Sequence, residues 1–447
     1  MNQGTRPAAA NPRPSLPKGL PHIAYVLLWY PLFTQPFIFR EVEGLKERLP
    51  LTVFTLYGPN RRHLSSEMAA QLGSVRTFGV KSLGRILLEL VRQMCTHPLR
   101  LARLFSRTLV RRWSSLETFG ENLWAFCVGL YLGRLFVEEG IDIIYAPWPR
   151  GTTTAAWVAA SISGLPFGTS ARGDNLAPAD PDLGDKLAAA NFIRTNNAAD
   201  KGRIEVFGQG EARGKVTLVY NSLSLPERGP ERTWDDGFIF THEHPLRFLA
   251  LGRFDTTKGF DVLLRACGIL RDQGIPFTLT LAGGGGKLMG LGNLEGSLRK
   301  LRASLHLESQ VSMPGLVSHN ALPTLLGEHH VFVAPCVIDA QGRRDGIPNT
   351  VIEAMAFGLP VVGTTVNALP EVIHDGQSGL TVPQRDAQAL ARAMLHFFHH
   401  PGDIARFGAR GAELAREMFD TMANSDALAQ MFVDYHASHG GHRTCVA

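Results

Sequence analysis

Two doubly wound α/β domains in tandem, facing one another across a cleft, are the fold class that this chain of 447 residues predicts. Three observations point there. Apolar strand-like runs alternate with helix-like runs twice over, which implies parallel sheets covered on both faces. A chain that is 45% hydrophobic and 19% charged can bury more than one core, since single cores stop growing near ~250–300 residues. Between the two alternating runs, SLSLPERGPERTWDDGFIFTHEHP mixes proline, charge and turn residues in the manner of a linker.

In chain order, residues 1–20 are rich in Pro, Ala and Asn and read as a disordered tail. Residues 21–225 form the first domain, with strands expected in HIAYVLLWY, LTVFTLY, IDIIYAPW, LPFGTSA and VTLVYNS. The linker covers 226–245. The second domain, 246–425, alternates FLALGRF, FTLTLAG, VSMPGLV, HVFVAPC and PVVGT with helical segments, and 426–447 is a closing helix and tail. The apolar run IAYVLLWYPLF has no small-x-small cleavage site after it, and Pro31 and Pro36 break it, so it reads as a buried strand and loop rather than a signal peptide or a membrane span. Five cysteines, an odd number without a C-x-x-C pair, suit a reducing, cytoplasmic setting and argue against a zinc cluster or disulfide framework.

The net charge of +5 is modest, but its placement is uneven. Between Glu89 and Glu117 lie six arginines and no acid, interleaved with Leu99, Leu101, Leu104, Phe105, Leu109, Val110 and Trp113. Such a basic amphipathic helix suits either an anionic membrane surface or a solvated face. No aromatic-basic module of a nucleic-acid-binding kind is present, so no nucleic acid partner is expected.

The most informative stretch is RRDGIPNTVIEAMAFGLPVV, residues 343–362. Asp345 and Glu353 alone prove nothing, because roughly three to four acid pairs at this spacing arise by chance in such a chain. The elbow between them says more. Pro348 disfavours helix at Ile347, Asn349 is a good N-cap, and Gly358 with Pro360 stops the helix. A helix N-terminus with unpaired amides therefore stands beside the loop of Asp345 and Gly346, a natural seat for a diphosphate. Glu353, one turn in, can accept two ribose hydroxyls, or merely complement the helix dipole. In GRFDTTKGFD, at the carboxyl end of a strand, Gly252 precedes Arg253, and Lys258 follows on the same loop. Two such cations suit a diphosphate leaving group, whereas an Arg253–Asp255 surface pair is the plain alternative. The GGGG run at 283–286 lacks the spacing of a dinucleotide fingerprint or P-loop and marks a close backbone approach.

GRFDTTKGFDVLLRA, LAGGGG, VSMPGLVSHNALPTLL, VFVAPC, DGIPNTVIEAMAFGLPVVGT and LPEVIHDGQSGL, in this order, closely resemble the C-terminal domain of family 4 retaining glycosyltransferases, whose two Rossmann-like domains form the glycosyltransferase-B architecture. More weakly, YPLFTQPFIFREVEGL, IDIIYAPWPRGTTTAAWVAASISGLPFGTSARGDNL and DKLAAANFIRTNNAADKGRI resemble the exopolysaccharide subgroup that includes colanic acid enzymes.

The resemblance implies roles. Arg253 and Lys258 would neutralise the departing diphosphate, Glu353 would hold the ribose, and the backbone at Gly315, Leu316 and Val317 would meet the base. Asp345 would bind donor-sugar hydroxyls, Gly346, Ile347, Pro348, Asn349 and Thr350 would form the elbow around the donor, and Leu369, Pro370 and Glu371 would line its phosphate side. The substrate would be a nucleotide-diphosphate sugar of UDP or GDP type, with no cofactor and no metal. The acceptor would be a lipid-linked or soluble saccharide, with work at the inner face of a membrane.

Three departures stand out. Asp345 occupies a position where the family commonly has Glu, Arg172 stands in the place of a histidine, and Tyr145 replaces the first His of an HAH segment. Arg172 and Asp174 remain acceptor-side candidates. A sugar-nucleotide-binding subunit without turnover, a sugar-nucleotide epimerase and a phosphorylase stay as alternatives.

Overall fold

A computed structural model describes residues 19–439 apart from 33–34, 60–63, 177–179, 230–236 and 285–293. Most of the expected N-terminal tail and the second half of the tetraglycine lie outside the described residues.

The first sheet holds seven parallel strands: β1 (Ile23–Leu27), β2 (Leu51–Thr55), β3 (Val75–Thr77), β4 (Ile143–Ala146), β5 (Phe167–Ser170), β6 (Phe192–Thr195) and β7 (Val216–Leu218). Their order is β3-β2-β1-β4-β5-β6-β7. The second sheet holds β8 (Leu246–Leu251), β9 (Phe277–Ala282), β10 (Val311–Gly315), β11 (Val331–Ala334), β12 (Val361–Thr364) and β13 (Gly379–Val382), in the order β10-β9-β8-β11-β12-β13. Central strands such as IAYVL, IIYA and VFVA are buried along their whole length, because helices cover both faces.

Each order reverses direction once, between β1 and β4 in the first sheet and between β8 and β11 in the second. At such a point the loops leaving two adjacent strands part to opposite faces and open a crevice at the carboxyl ends. Loops from these ends meet across the two sheets. A Cβ on Gly173, after β5, would stand 2.9 Å from the amide nitrogen of Gly346, after β11. The two sheets therefore face each other across a cleft.

Two details differ from expectation. Asn349 is the first residue of the helix Asn349–Phe357 and not its N-cap; Pro348, extended at φ −62° and ψ 131°, takes the cap position without a side-chain hydrogen bond. The expected stop holds, with Gly358 left-handed at φ 102°. The arginine-rich stretch is two helices, Leu83–Thr96 and Pro98–Leu109, because Pro98 opens a new helix after His97 leaves helical geometry.

The last helix, Thr421–His439, leaves the second domain and packs on the first. Leu428 and Phe432 join the cluster of Tyr25, Phe39, Val42 and Tyr145, and a Cβ on Gly44 would collide with Ser425 Oγ at 2.3 Å. The chain thus crosses between domains twice.

Candidate functional site

At the second switch point the chain builds a charged pocket from two loops. After β8, Asp255 Oδ1 accepts hydrogen bonds from Thr257 N at 2.9 Å and Thr257 Oγ1 at 3.0 Å. The turn Thr256–Lys258 results, and Gly259, left-handed at φ 63°, hands the chain to the helix Phe260–Asp272. Only glycine fits there, since a Cβ would stand 2.0 Å from Pro335 O. After β11, Asp339 accepts from Gln341 N, Arg343 N, Arg343 Nε and Thr256 Oγ1, which staples the second loop to the first.

The staple brings Lys258 Nζ to 2.9 Å from Asp345 Oδ2, with Thr257 Oγ1 at 3.4 Å from the same oxygen. Burial works against both charges, yet each holds the other ionised. The Asp345 carboxyl lies below its ordinary range and the Lys258 ammonium above its own. Among the described residues Asp345 Oδ1 accepts no hydrogen bond. Arg253 is exposed, its charge is felt by both partners, and the Arg253–Asp255 pair does not form, Asp255 being spent on its own turn.

A recess beside this pair is lined by Lys258, Phe260, Pro335, Cys336, Pro348 and Thr350, at the N-terminus of the helix Asn349–Phe357. Glu353 stands one turn into that helix, and burial, with no partner charge among the described residues, pushes its carboxyl up to about 7. Burial likewise pushes the Cys336 thiol up to about 12, so it is inert at neutral pH.

The remaining candidates are distributed as follows. Gly252 lies against the Lys258 stem, where a Cβ would stand 3.3 Å from Cε. Gly283 at φ 146° packs on the Gly252 carbonyl, so the first half of the tetraglycine approaches a neighbouring loop. Gly315 is left-handed at φ 91°, Leu316 is 83% exposed and Val317 half-buried, together forming an open rim. Ile347 is buried, and a Cβ on Gly346 would stand 3.2 Å from Asn197 Nδ2 across the cleft. Leu369 is in the core, with its amide bonded to Val366 O.

Glu371 crosses to the other domain. Its carboxylate accepts from Ala198 N at 2.9 Å and Ala199 N at 2.7 Å, at the start of the helix Ala199–Phe207, and from Tyr220 Oη at 3.3 Å. Neither Leu369 nor Glu371 is joined to the Lys258 cluster.

On the first domain, Arg172 is 5% exposed. It donates to Asn221 Oδ1 and Pro147 O, and its guanidinium lies 4.7 Å from the Trp148 ring centroid. Burial first, then the like charge of Arg194, lowers its hold on the proton. Beneath it Arg194 pairs with Glu41, which also accepts from Tyr25 Oη at 2.5 Å. Tyr145 is fully buried in the core. Asp174 lies in the turn Gly173–Leu176; its side chain is outside the described residues. The partners of Arg172 and Glu371 lie far along the chain, so no local pattern announces them.

Two facing doubly wound domains with a charged recess at the second switch point define a protein of the glycosyltransferase-B architecture. Residues 245–400 match the family model described as glycosyl transferases group 1. A protein of Escherichia coli named as a colanic acid biosynthesis glycosyltransferase is 36% identical over 42% of this chain and 45% of its own. The amylovoran biosynthesis glycosyltransferase of Erwinia amylovora is 36% identical over 36% of this chain and 38% of its own. The chain thus aligns with less than half the length of these relatives. Among solved structures, sucrose-phosphate synthase of Thermosynechococcus elongatus superimposes with a TM-score of 0.65 at 16% identity, covering 94% of this chain and all of that one. HepE of Anabaena, solved in complex with UDP, does so with a TM-score of 0.64 at 16% identity over 92% of this chain.

Proposed function

We propose that this protein is a retaining glycosyltransferase of family 4 that moves a sugar from a nucleotide-diphosphate donor, of UDP or GDP type, to a saccharide or lipid-linked saccharide in polysaccharide synthesis. The observation that carries the reading is the Lys258–Asp345 pair, with exposed Arg253 beside it, at the mouth of a helix N-terminus. When the bond between the anomeric carbon and the phosphate oxygen breaks, negative charge collects on the diphosphate. Fixed cations and helix amides already in place stabilise that charge without reorganising.

Lys258 and Arg253 meet the diphosphate, Asp345 aims Lys258 through Oδ2 and offers Oδ1 to a sugar hydroxyl, and Glu353 accepts from the ribose. The rim at Gly315, Leu316 and Val317 receives the base. Retention is the part of the proposal that rests on the resemblance of the sequence motifs to family 4. The division into domains at 21–225 and 246–425 is part of this proposal, with the final helix assigned to the first domain by its packing.

The membrane is the second half of the proposal. The helices Leu83–Thr96 and Pro98–Leu109, with the turn that follows them, leave Leu88, Val91, Met94, Leu99 and Val110 exposed beside exposed Arg85, Arg92, Arg103, Arg107 and Arg112. Apolar side chains among cations match an anionic bilayer surface, where a lipid-linked acceptor would be found. Among the described residues no helix is long and apolar enough to cross a membrane, so contact would be peripheral, at the cytoplasmic face.

A subunit that binds nucleotide sugar without transferring it is the second reading. Its support is Arg172, buried in the core in the place of a histidine. Thermal shift with UDP, GDP, ADP and their sugar conjugates, with and without magnesium, tests the donor site. A metal-independent rise with one nucleotide, absent in Arg253→Ala, supports it; no rise with any of them overturns it. Release of free nucleotide diphosphate in the presence of acceptor separates the two readings.

A further inference from the structure

The first domain has a switch point of its own, and it is lined differently. The loop after β1 carries Trp29, and the loop after β4 carries Trp148, on the two sides of the crevice between those strands. Trp29 is 37% exposed. It stacks on Tyr57, two residues beyond the end of β2, with centroids 4.7 Å apart and planes at 19°. Tyr57 stacks in turn on Trp124, at 6.4 Å and 18°. The innermost ring is anchored, since Trp124 Nε1 donates to Leu56 O at 2.8 Å. Three near-parallel rings thus rise from the core and end in an open indole at the carboxyl edge of the sheet.

Polar groups flank this stack. Glu121 stands one turn before Trp124 on the helix Leu116–Glu138. Its Oε1 accepts from Gly151 N at 3.1 Å, while Oε2 takes no hydrogen bond among the described residues. Its charge reaches Tyr57, whose phenol is raised first by burial and then by Glu121. Trp29 Nε1 has no acceptor among the described residues either. A flat ring face with a donor at its edge and a carboxylate nearby suits a molecule with one face of C–H bonds and a rim of hydroxyls. That is a pyranose whose ring hydroxyls are mostly equatorial. The electron-rich ring face attracts the polarised C–H bonds, while the rim hydroxyls find donor and acceptor.

We propose that Trp29, on its Tyr57–Trp124 support, is the platform on which a neutral pyranose of the acceptor lies, with Glu121 accepting from one of its hydroxyls. The assignment rests on the glycosyltransferase reading, and it places acceptor recognition on aromatic surface rather than on Arg172.

The test uses methyl β-D-glucopyranoside and methyl β-D-galactopyranoside as acceptor probes and UDP and GDP as donor probes, on the full chain. Saturation-transfer NMR should show contact from the C–H face of a glycoside. Trp29→Ala should weaken that binding about tenfold, or ~1.4 kcal/mol, and Trp29→Phe should keep most of it. Both variants should melt near the wild type and keep its nucleotide-induced shift. Glycoside binding that is indifferent to Trp29→Ala, or absent from wild-type protein that takes nucleotide, overturns the platform alone. Loss of nucleotide binding in Trp29→Ala would make the ring a base platform instead. A blue shift of tryptophan fluorescence on phosphatidylglycerol vesicles that Trp29→Phe abolishes, without glycoside contact, would make Trp29 a membrane anchor. If no nucleotide binds the wild type, the transferase reading itself falls.

Discussion

The two switch points share a topology and differ in what they do with charge. In the second domain, charge is brought to the cleft. Lys258 and Asp345 face one another at the rim of a recess, Arg253 is exposed beside them, and Glu353 has no charged partner among the described residues. In the first domain, charge is put away. Glu41 and Arg194 are each 1% exposed, Arg172 is packed on Trp148, and the open surface is an indole ring. The contrast teaches that a parallel sheet supplies a place and leaves the chemistry to the loops: one crevice suits a diphosphate, the other a ring with few charges.

The contrast breaks most readily at its buried pair. Removing one partner of a buried ion pair leaves the other uncompensated, so Glu41→Ala should cost about 3–5 kcal/mol of stability, read by urea denaturation. Burial raises the Glu41 carboxyl, but Arg194 and then Arg172 more than offset this and leave it below its ordinary value. Its contribution is therefore present above the ordinary carboxylate range and is lost as pH falls. A flat stability profile for the wild type below pH ~4.3 would contradict this assignment.

The second domain should respond the other way, losing rate rather than stability. Arg253→Ala removes an exposed cation beside the developing charge and should slow turnover about 100- to 1,000-fold, ~2.7–4 kcal/mol, while the melting midpoint changes little. An equal loss in both quantities would make Arg253 a structural arginine.

Glu353 sharpens the comparison through pH. Its raised carboxyl means that the folded state prefers it protonated, so its contribution to stability is present at low pH and is lost as pH rises through about 7. Ribose hydroxyls need the carboxylate, so nucleotide affinity should instead rise with pH, by roughly tenfold per unit below the folded value, and Glu353→Gln should remove that dependence. Calorimetric titration between pH 5.5 and 8 decides it.

The smallest effect belongs to the arginine-bearing helices. Each of Arg103→Gln and Arg107→Gln should weaken binding to phosphatidylglycerol vesicles by ~1 kcal/mol, about fivefold. Equal sedimentation with phosphatidylcholine vesicles would remove the electrostatic basis.

What was legible in the sequence was local. The elbow from Asp345 to Gly358 and the loop from Gly252 to Gly259 each fold from a few consecutive residues, so composition and spacing describe them before any contact is known. Even there the cap shifted by one residue, because a proline already fixed at φ −62° serves where Asn349 was expected. Long-range partners were not legible. Arg172 is held by Asn221, Glu371 reaches helix amides at Ala198 and Ala199, and Trp29 stacks through Tyr57 onto Trp124. In each case the side chain alone is ambiguous, and its meaning depends on a residue that the fold brings near.

The helix Thr421–His439 carries one more consequence. Phe432 packs edge-on against Tyr145 with centroids 5.1 Å apart and beside Phe192 at 5.8 Å. During synthesis those aromatic surfaces leave the ribosome before their cover, which follows only after every strand of the second sheet. The first domain is thus completed only after the second, and part of its core stays open until Thr421–His439 has been made.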